Sequence, residues 1–249
     1  MEITSVNNEI VKNTAKLQQK KYRNSEKKFL LEGYKAIKEA FDSGIIIEKI
    51  FVNKNKIQEY NFAKNILIET TEPVLKKLST TETAPESVAV GIQKIYDFEV
   101  LKKAKKVVLL EEIKDLGNLG TILRTAVAFQ AEAIVLYGDS TDIYNPKCVR
   151  ASVGNLWKIP IFQIKDFNQL EQIFGKFQRI ATLPRSKNFL KNFDIKFPAL
   201  IMFGSEAAGL SDELIKFSTN SVKIEMAETV ESLNLAVSVS IILYELFGE

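Results

Sequence analysis

Histidine is absent from the 249 residues, and cysteine and tryptophan occur once each, as Cys148 and Trp157. Without histidine, Ser/His/Asp and Cys/His mechanisms are excluded and most metal sites lose their usual ligands. A lone cysteine excludes an internal disulfide. No apolar run approaches the ~18 residues that cross a bilayer, and MEITSVNNEI carries acid where a secretory signal needs a basic start and an apolar stretch. These absences predict a cytoplasmic protein with no membrane partner and no metal. There is also no GxGxxG turn, which weakens the case for a small-molecule α/β enzyme built on a nucleotide cofactor.

What is present is an ordinary globular balance of 46% hydrophobic and 26% charged residues, with a formal net charge of only +3. The distribution of charge says more than its sum. Residues 1 to 28 hold seven basic side chains (Lys12, Lys16, Lys20, Lys21, Arg23, Lys27, Lys28) against three acidic ones (Glu2, Glu9, Glu26). That block is either a nucleic-acid footprint or a solvated helix face.

Periodicity predicts an α/β unit over residues 1–95. A helix is expected from Asn7 to Gln19, a basic loop from Lys20 to Lys28, a buried strand at Phe29-Leu30-Leu31 and a helix through Ala36, Ile37, Ala40 and Phe41. Strands follow at 45–52, 65–70 and 87–93, with a helix after the second that carries Pro73 in its first turn. Residues 96–105, rich in lysine, are the expected linker. From 106 to 249 the runs at 107–112, 133–138, 157–164, 179–184, 200–205 and 221–226 suit buried parallel strands separated by helices.

Three polar clusters fall where strands give way to helices, the place where open α/β sheets bind ligands. In NLGTILRTAVAF, Asn118 is a candidate helix cap, Gly120 permits close backbone approach and Arg124 precedes apolar residues. FGSEAAGLSDEL resembles a phosphate loop in its glycine spacing, but Leu210 stands where that loop needs lysine, which disfavours a nucleoside triphosphatase. In the third cluster Ser232 and Asn234 open an apolar helix. Taken alone, these residues read as caps and exposed polar groups or as one cleft lined by Asn118, Arg124, Glu206, Ser232 and Asn234.

In order, the three clusters resemble the signature motifs of the SpoU/TrmH family of RNA 2'-O-ribose methyltransferases, within the SPOUT superfamily. Asn118, Gly120 and Arg124 match the first motif, Gly204, Glu206, Gly209 and Leu210 the second, and Ile224, Met226, Ser232, Leu233 and Asn234 the third. NPKCVRASVGNLWKIPI (145–161) resembles the intervening segment, and FLLEGYKAIKEA with the basic stretch before it resembles the substrate-binding domain. The resemblance implies an α/β-knot catalytic domain, trefoil-knotted on a mainly parallel sheet, at 106–249. A smaller ribosomal-protein-like α/β domain precedes it at 1–95.

By the same resemblance, S-adenosyl-L-methionine is held at Gly204, Ile224, Met226 and Leu233, and RNA by Lys20, Lys21, Arg23, Lys27, Lys28 and Glu32. Arg124, Asn118, Glu206, Ser232 and Asn234 form the catalytic group, and the protein pairs as a homodimer through the knotted domain. Arg124 is the residue the family implicates in activating the 2'-hydroxyl. A free guanidinium has a pKa above about 12, so it is not an ordinary base, and stabilising an alkoxide while gripping a phosphate suits it better. The third motif departs from the family pattern, with Glu225 in place of proline and Glu228 in place of glycine. Ribosomal RNA is favoured over transfer RNA as substrate. The alternatives are a transfer-RNA ribose methyltransferase and an inactive RNA-binding ribosome-assembly factor on the same fold.

Overall fold

The computed structural model describes residues 1–227 and 229–248. The chain divides into two compact units, residues 1–95 with 142–157, and residues 96–141 with 158–249.

The first unit runs β1 (Glu2–Ile3), α1 (Glu9–Ala15), α2 (Lys20–Glu26), β2 (Lys28–Glu32), α3 (Tyr34–Asp42), β3 (Ile47–Asn53), β4 (Leu67–Thr70), α4 (Glu72–Leu78) and β5 (Ser87–Ile92). Its sheet has the order β1-β4-β3-β5-β2. β1, β4 and β3 pair in parallel, while β5 is antiparallel to both β3 and β2. Local chemistry sets the helix ends. Asn8 accepts from the Ile10 amide at 2.9 Å to start α1, and Pro73 sits in the first turn of α4, where no backbone donor is needed. Leu30, Phe51, Val88 and Val90 from the sheet pack with Val11 and Leu17 and with Val74, Leu75 and Leu78 of α4. Each such fully buried side chain contributes about 1.5–3 kcal/mol.

The second unit begins with α5 (Phe98–Lys103), β6 (Lys106–Glu111), α6 (Leu116–Ala128) and β7 (Ala133–Tyr137). The chain then leaves this unit for 142–157, where α7 (Pro146–Ala151) packs against β2 and the Trp157 ring lies 5.4 Å from that of Phe29. It returns as β8 (Ile161–Ile164), α8 (Phe167–Phe174), β9 (Gln178–Thr182), β10 (Ala199–Phe203), α9 (Asp212–Phe217), β11 (Asn220–Val222) and α10 (Leu235–Phe247). The sheet order is β11-β9-β10-β6-β7-β8, and every pairing is parallel. Alternate residues cover both faces. Val107, Leu109, Val135, Leu200 and Met202 pack with Leu101, Leu170, Phe174 and Leu214 of the helices. Val108, Leu110, Ile134 and Ile201, pointing the other way, are also fully buried. The order reverses direction beside β6, so the loops after β6 and β10 flank the crevice where this architecture places ligands.

Several expectations differ from this structure, among them the strand expected at 221–226, which ends at Val222. Residues 20–26 are helical rather than a loop, because the residue that α2 turns inward is Arg23 and not an apolar one. Residues 98–103, inside the expected linker, form α5: Asp97 caps it by accepting from the Glu99 amide at 2.9 Å, and Leu101 is fully buried in the second unit's core. Residues 157–160 precede β8 instead of belonging to it, since Trp157 is buried in a 3₁₀ turn of the first unit. Among the described residues no helix is long and apolar enough to cross a membrane.

Candidate active site

The first cluster lies on α6, which Asp115 rather than Asn118 caps: Asp115 Oδ1 accepts from the Asn118 amide at 2.6 Å. That cap frees the Asn118 side chain. Its Nδ2 donates to Glu206 Oε1 at 2.6 Å, and its Oδ1 accepts from Asn234 Nδ2 at 3.1 Å. Asn234 Oδ1 in turn accepts from the amides of Ala236 and Val237, at 2.9 and 3.3 Å, and so caps α10. One hydrogen-bonded chain thus links residues 118, 206 and 234, from the loops or helix starts that follow β6, β10 and β11. Its polarity is fixed, because a carboxylate at one end only accepts and backbone amides at the other only donate.

The loop carrying Glu206 is closed by its own backbone. The Ser205 amide donates to Gly209 O at 3.2 Å and the Gly209 amide to Ser205 O at 2.9 Å. Gly209 has φ +68, and a Cβ on Gly204 would overlap the backbone of Gly209 and Leu210. Both glycines are therefore required by the turn itself. Glu111, which drew no notice in the sequence, anchors the far side: its buried carboxylate accepts from the Ser211 amide at 2.8 Å, and Ser211 caps α9. A carboxylate ending an otherwise apolar strand was the available signal. Beside it the Tyr137 hydroxyl donates to Glu213 Oε2 at 2.8 Å, and burial, then that carboxylate, pushes its pKa above the ordinary tyrosine value.

Arg124 stands six residues beyond Asn118 on α6, about 9 Å along the axis and about 120° around it. It is exposed and makes no hydrogen bond or ion pair among the described residues. Ser232 is likewise exposed and unbonded among them. The structure thus joins Asn118, Glu206 and Asn234 directly and leaves Arg124 and Ser232 outside that chain. Asn234 itself is exposed. Ile224, Met226 and Leu233 are half-buried apolar residues between β11 and α10, while Glu225 is exposed. Glu228 lies outside the described residues.

Two residues expected to touch RNA are tied up inside the first unit. Arg23 is 1% exposed, and its guanidinium donates to Asp142 Oδ2 at 2.7 and 2.8 Å and to the carbonyls of Leu17 and Gln18 at 2.8 and 2.7 Å. Glu32, also buried, accepts from Arg150 Nη1 at 2.6 Å and from the Thr80 amide at 3.0 Å. Both serve the fold, because a charged group buried this deeply must be fully partnered. Lys28 is half-buried and paired with Glu48 at 2.9 Å; Lys20, Lys21 and Lys27 remain exposed.

Comparison with known proteins matches both parts of the chain to family models. The SpoU rRNA Methylase family model matches residues 105–244, and an MRM3-like substrate binding domain matches residues 8–89. This chain belongs to the SpoU rRNA methylase family. Among other members, it is 32% identical to an uncharacterized tRNA/rRNA methyltransferase of Synechocystis, over 98% of this chain and 92% of that one. It is 30% identical to the 23S rRNA (guanosine(2553)-2'-O)-methyltransferase RlmP of Bacillus subtilis, over 99% of both. An AdoMet-bound rRNA methyltransferase from Sinorhizobium meliloti superposes with a TM-score of 0.89 at 29% identity, covering 98% of this chain and 96% of that one. Asn118, Glu206 and Asn234 all lie within the 105–244 that the family model matches.

Proposed function

We propose that this protein transfers a methyl group from S-adenosylmethionine to a ribose 2'-hydroxyl of RNA, with ribosomal RNA as the substrate class. The observation that carries this is the hydrogen-bonded chain Glu206–Asn118–Asn234, with Asn118 at its centre, assembled from three separated motifs at one end of a parallel sheet. The residues present fit the cofactor. Apolar Ile224, Met226 and Leu233, left half-buried, suit an adenosine and a thioether chain. When bound, S-adenosylmethionine supplies an electrophilic methyl carbon.

The protein's own groups do the positioning. Glu206 spends one carboxylate oxygen on Asn118 and retains Oε2 to accept a hydrogen bond from the ribose. Ser232, two residues before Asn234, orders the sugar from its hydroxyl. Arg124 grips the neighbouring phosphate with its planar fork and stabilises the negative charge that develops on the 2'-oxygen as its proton passes to solvent water. Holding the reacting atoms in line is itself a large part of the rate enhancement. In the first unit, exposed Lys20, Lys21 and Lys27 attract the RNA backbone.

The same reading includes a cytoplasmic homodimer and a knotted C-terminus. Val237, Ile241 and Tyr244 are 47%, 37% and 65% exposed and fall four and three residues apart on α10, a single apolar stripe suited to a second copy of this chain. Sedimentation at micromolar concentration is expected to give twice the 28.1 kDa of one chain, and Ile241→Asp to return it to one. For the knot, residues 223–234 lead from β11 at the sheet edge to α10 on α6, with Lys223 bonded to the 188–190 backbone on the way. Stretching the molecule from both ends should stop short of full extension by the length held in the tightened knot.

The function is tested by mapping 2'-O-methylation across all stable RNAs with and without the gene, alongside transfer of labelled methyl to ribosomal RNA. Loss of one ribosomal site supports the proposal. Loss of a transfer-RNA site instead reassigns the substrate, and no transfer by protein that binds S-adenosylmethionine favours the assembly-factor alternative.

A further inference from the structure

The segment between β9 and β10 is basic and holds an exposed aromatic ring in a fixed place. From 184 to 198 it carries Arg185, Lys187, Lys191 and Lys196 against one carboxylate, Asp194, which lies 3.9 Å from Lys196. Arg185, Lys187 and Lys191 are exposed and have no ion pair among the described residues. Phe189 is 47% exposed between Ser186 and Leu190, which are 5% and 6% exposed.

The anchoring of this loop is extensive for a surface segment. Phe189 bridges Lys223 in parallel register; the Leu190 amide donates to Lys223 O at 2.8 Å, and the Lys223 amide to Asn188 O at 2.9 Å. Asn188 Nδ2 donates to Ser221 O at 3.0 Å, and the Ser186 and Ser221 hydroxyls meet at 2.9 Å. These bonds fasten the loop to the end of β11, the strand that leads into the motif holding Ile224 and Met226. Lys223 Nζ sits 4.6 Å from the Phe189 ring centroid and covers one face of the ring. The residue as a whole remains 47% exposed, although burying such a ring is ordinarily favourable.

We infer that this loop is a second RNA contact, in which Phe189, backed by Lys223, stacks on one unpaired base while Arg185, Lys187 and Lys191 hold the flanking phosphates. The inference rests on the methyltransferase reading and deepens it by naming the form of the substrate, an unpaired nucleotide in place of a continuous duplex. A rigid aromatic among cations is how proteins hold single strands: every base offers a π-face, and a ring already ordered loses little entropy on binding. A duplex keeps its bases stacked and has none to offer.

The test uses the full chain and its Phe189→Ala, Phe189→Tyr and Arg185→Ala/Lys187→Ala/Lys191→Ala variants. Binding to ribosomal RNA is measured with unstructured oligouridylate or a perfect duplex as competitor, at several salt concentrations. We expect Phe189→Ala to weaken binding about tenfold, Phe189→Tyr to restore it, and oligouridylate to compete better than the duplex. The triple variant should lower the slope of log affinity against log salt by about 0.7 for each phosphate released. Isothermal titration of S-adenosylmethionine and the sedimentation coefficient should be unchanged in all three.

Unaltered RNA affinity in Phe189→Ala overturns the inference. So does a loss of cofactor affinity, which would make the ring part of the cofactor pocket, or a change in sedimentation, which would make it a contact between copies. Failure of the functional reading looks different: the unmodified protein would then bind no S-adenosylmethionine or transfer no methyl group.

Discussion

Replacing Asn118 by alanine isolates the polar chain from the fold around it. The substitution deletes a charge-assisted hydrogen bond to Glu206, at 2.6 Å, and a neutral one from Asn234, at 3.1 Å. Such bonds contribute about 1.5–3 and about 0.5–1.5 kcal/mol respectively; at a half-open site the lower ends apply, giving about 2 kcal/mol together. If the chain serves to hold Glu206 toward the ribose, that sum appears in kcat/KM as a fall of about 30-fold. Stability should hardly move. The Asp115 cap uses the backbone amide of residue 118, which alanine keeps, and alanine is the better helix former. Methyl transfer measured under subsaturating RNA, together with thermal melts, reads both quantities. Glu206→Ala and the double variant complete a cycle in which the two losses should be markedly less than additive. A change in kcat/KM below about threefold with intact folding would refute the claim that this chain positions the carboxylate, and additive losses would show that the two residues act separately.

Arg124→Ala should cut methyl transfer by at least about 100-fold while leaving cofactor affinity nearly intact by isothermal titration, and lysine should not rescue it, since it lacks the planar fork. Arg23→Met should destabilise the first unit by about 3–5 kcal/mol, because Asp142 is left buried without its partner, so melting falls by roughly 10 °C while RNA contacts are not directly touched. Burial, and then the charge of Asp142, pushes the Cys148 thiol up to about 12 from its ordinary 9.0. A thiol reagent at pH 8 should therefore label it at the rate of unfolding. The raised thiol pKa means that its stabilising contribution is fully present below about pH 9 and declines as pH rises toward 12, measured as a falling denaturation midpoint.

Much of the fold was readable because strands buried on both faces are continuous apolar runs, as at 107–111, 133–137 and 199–203. The readings that failed did so where inward-facing residues are not apolar or where the anchor is distant. Lys20–Glu26 shows no hydrophobic stripe since its buried member is an arginine whose partner, Asp142, lies 119 positions away. The lysine-rich stretch before β6 hid a single apolar anchor, Leu101. At the site, the motifs gave Asn118, Glu206 and Asn234 as members of a group. Their mutual order was not legible, because a helix cap and a carboxylate partner are equally good uses of an asparagine side chain. Nor did composition reveal that Arg23 and Glu32 face inward, since charge in a sequence carries no direction.

The excursion of residues 142–157 into the first unit means that no single cut in the polypeptide yields two intact halves. A chain begun at residue 96 would retain Asp142 and Trp157 but forfeit Arg23 and Phe29, which neutralise the one and stack on the other. Anyone isolating the methyltransferase half should expect it to be sticky or misfolded unless that strap is also replaced by a short polar turn. Evolutionary shuffling of the two modules faces the same obstacle.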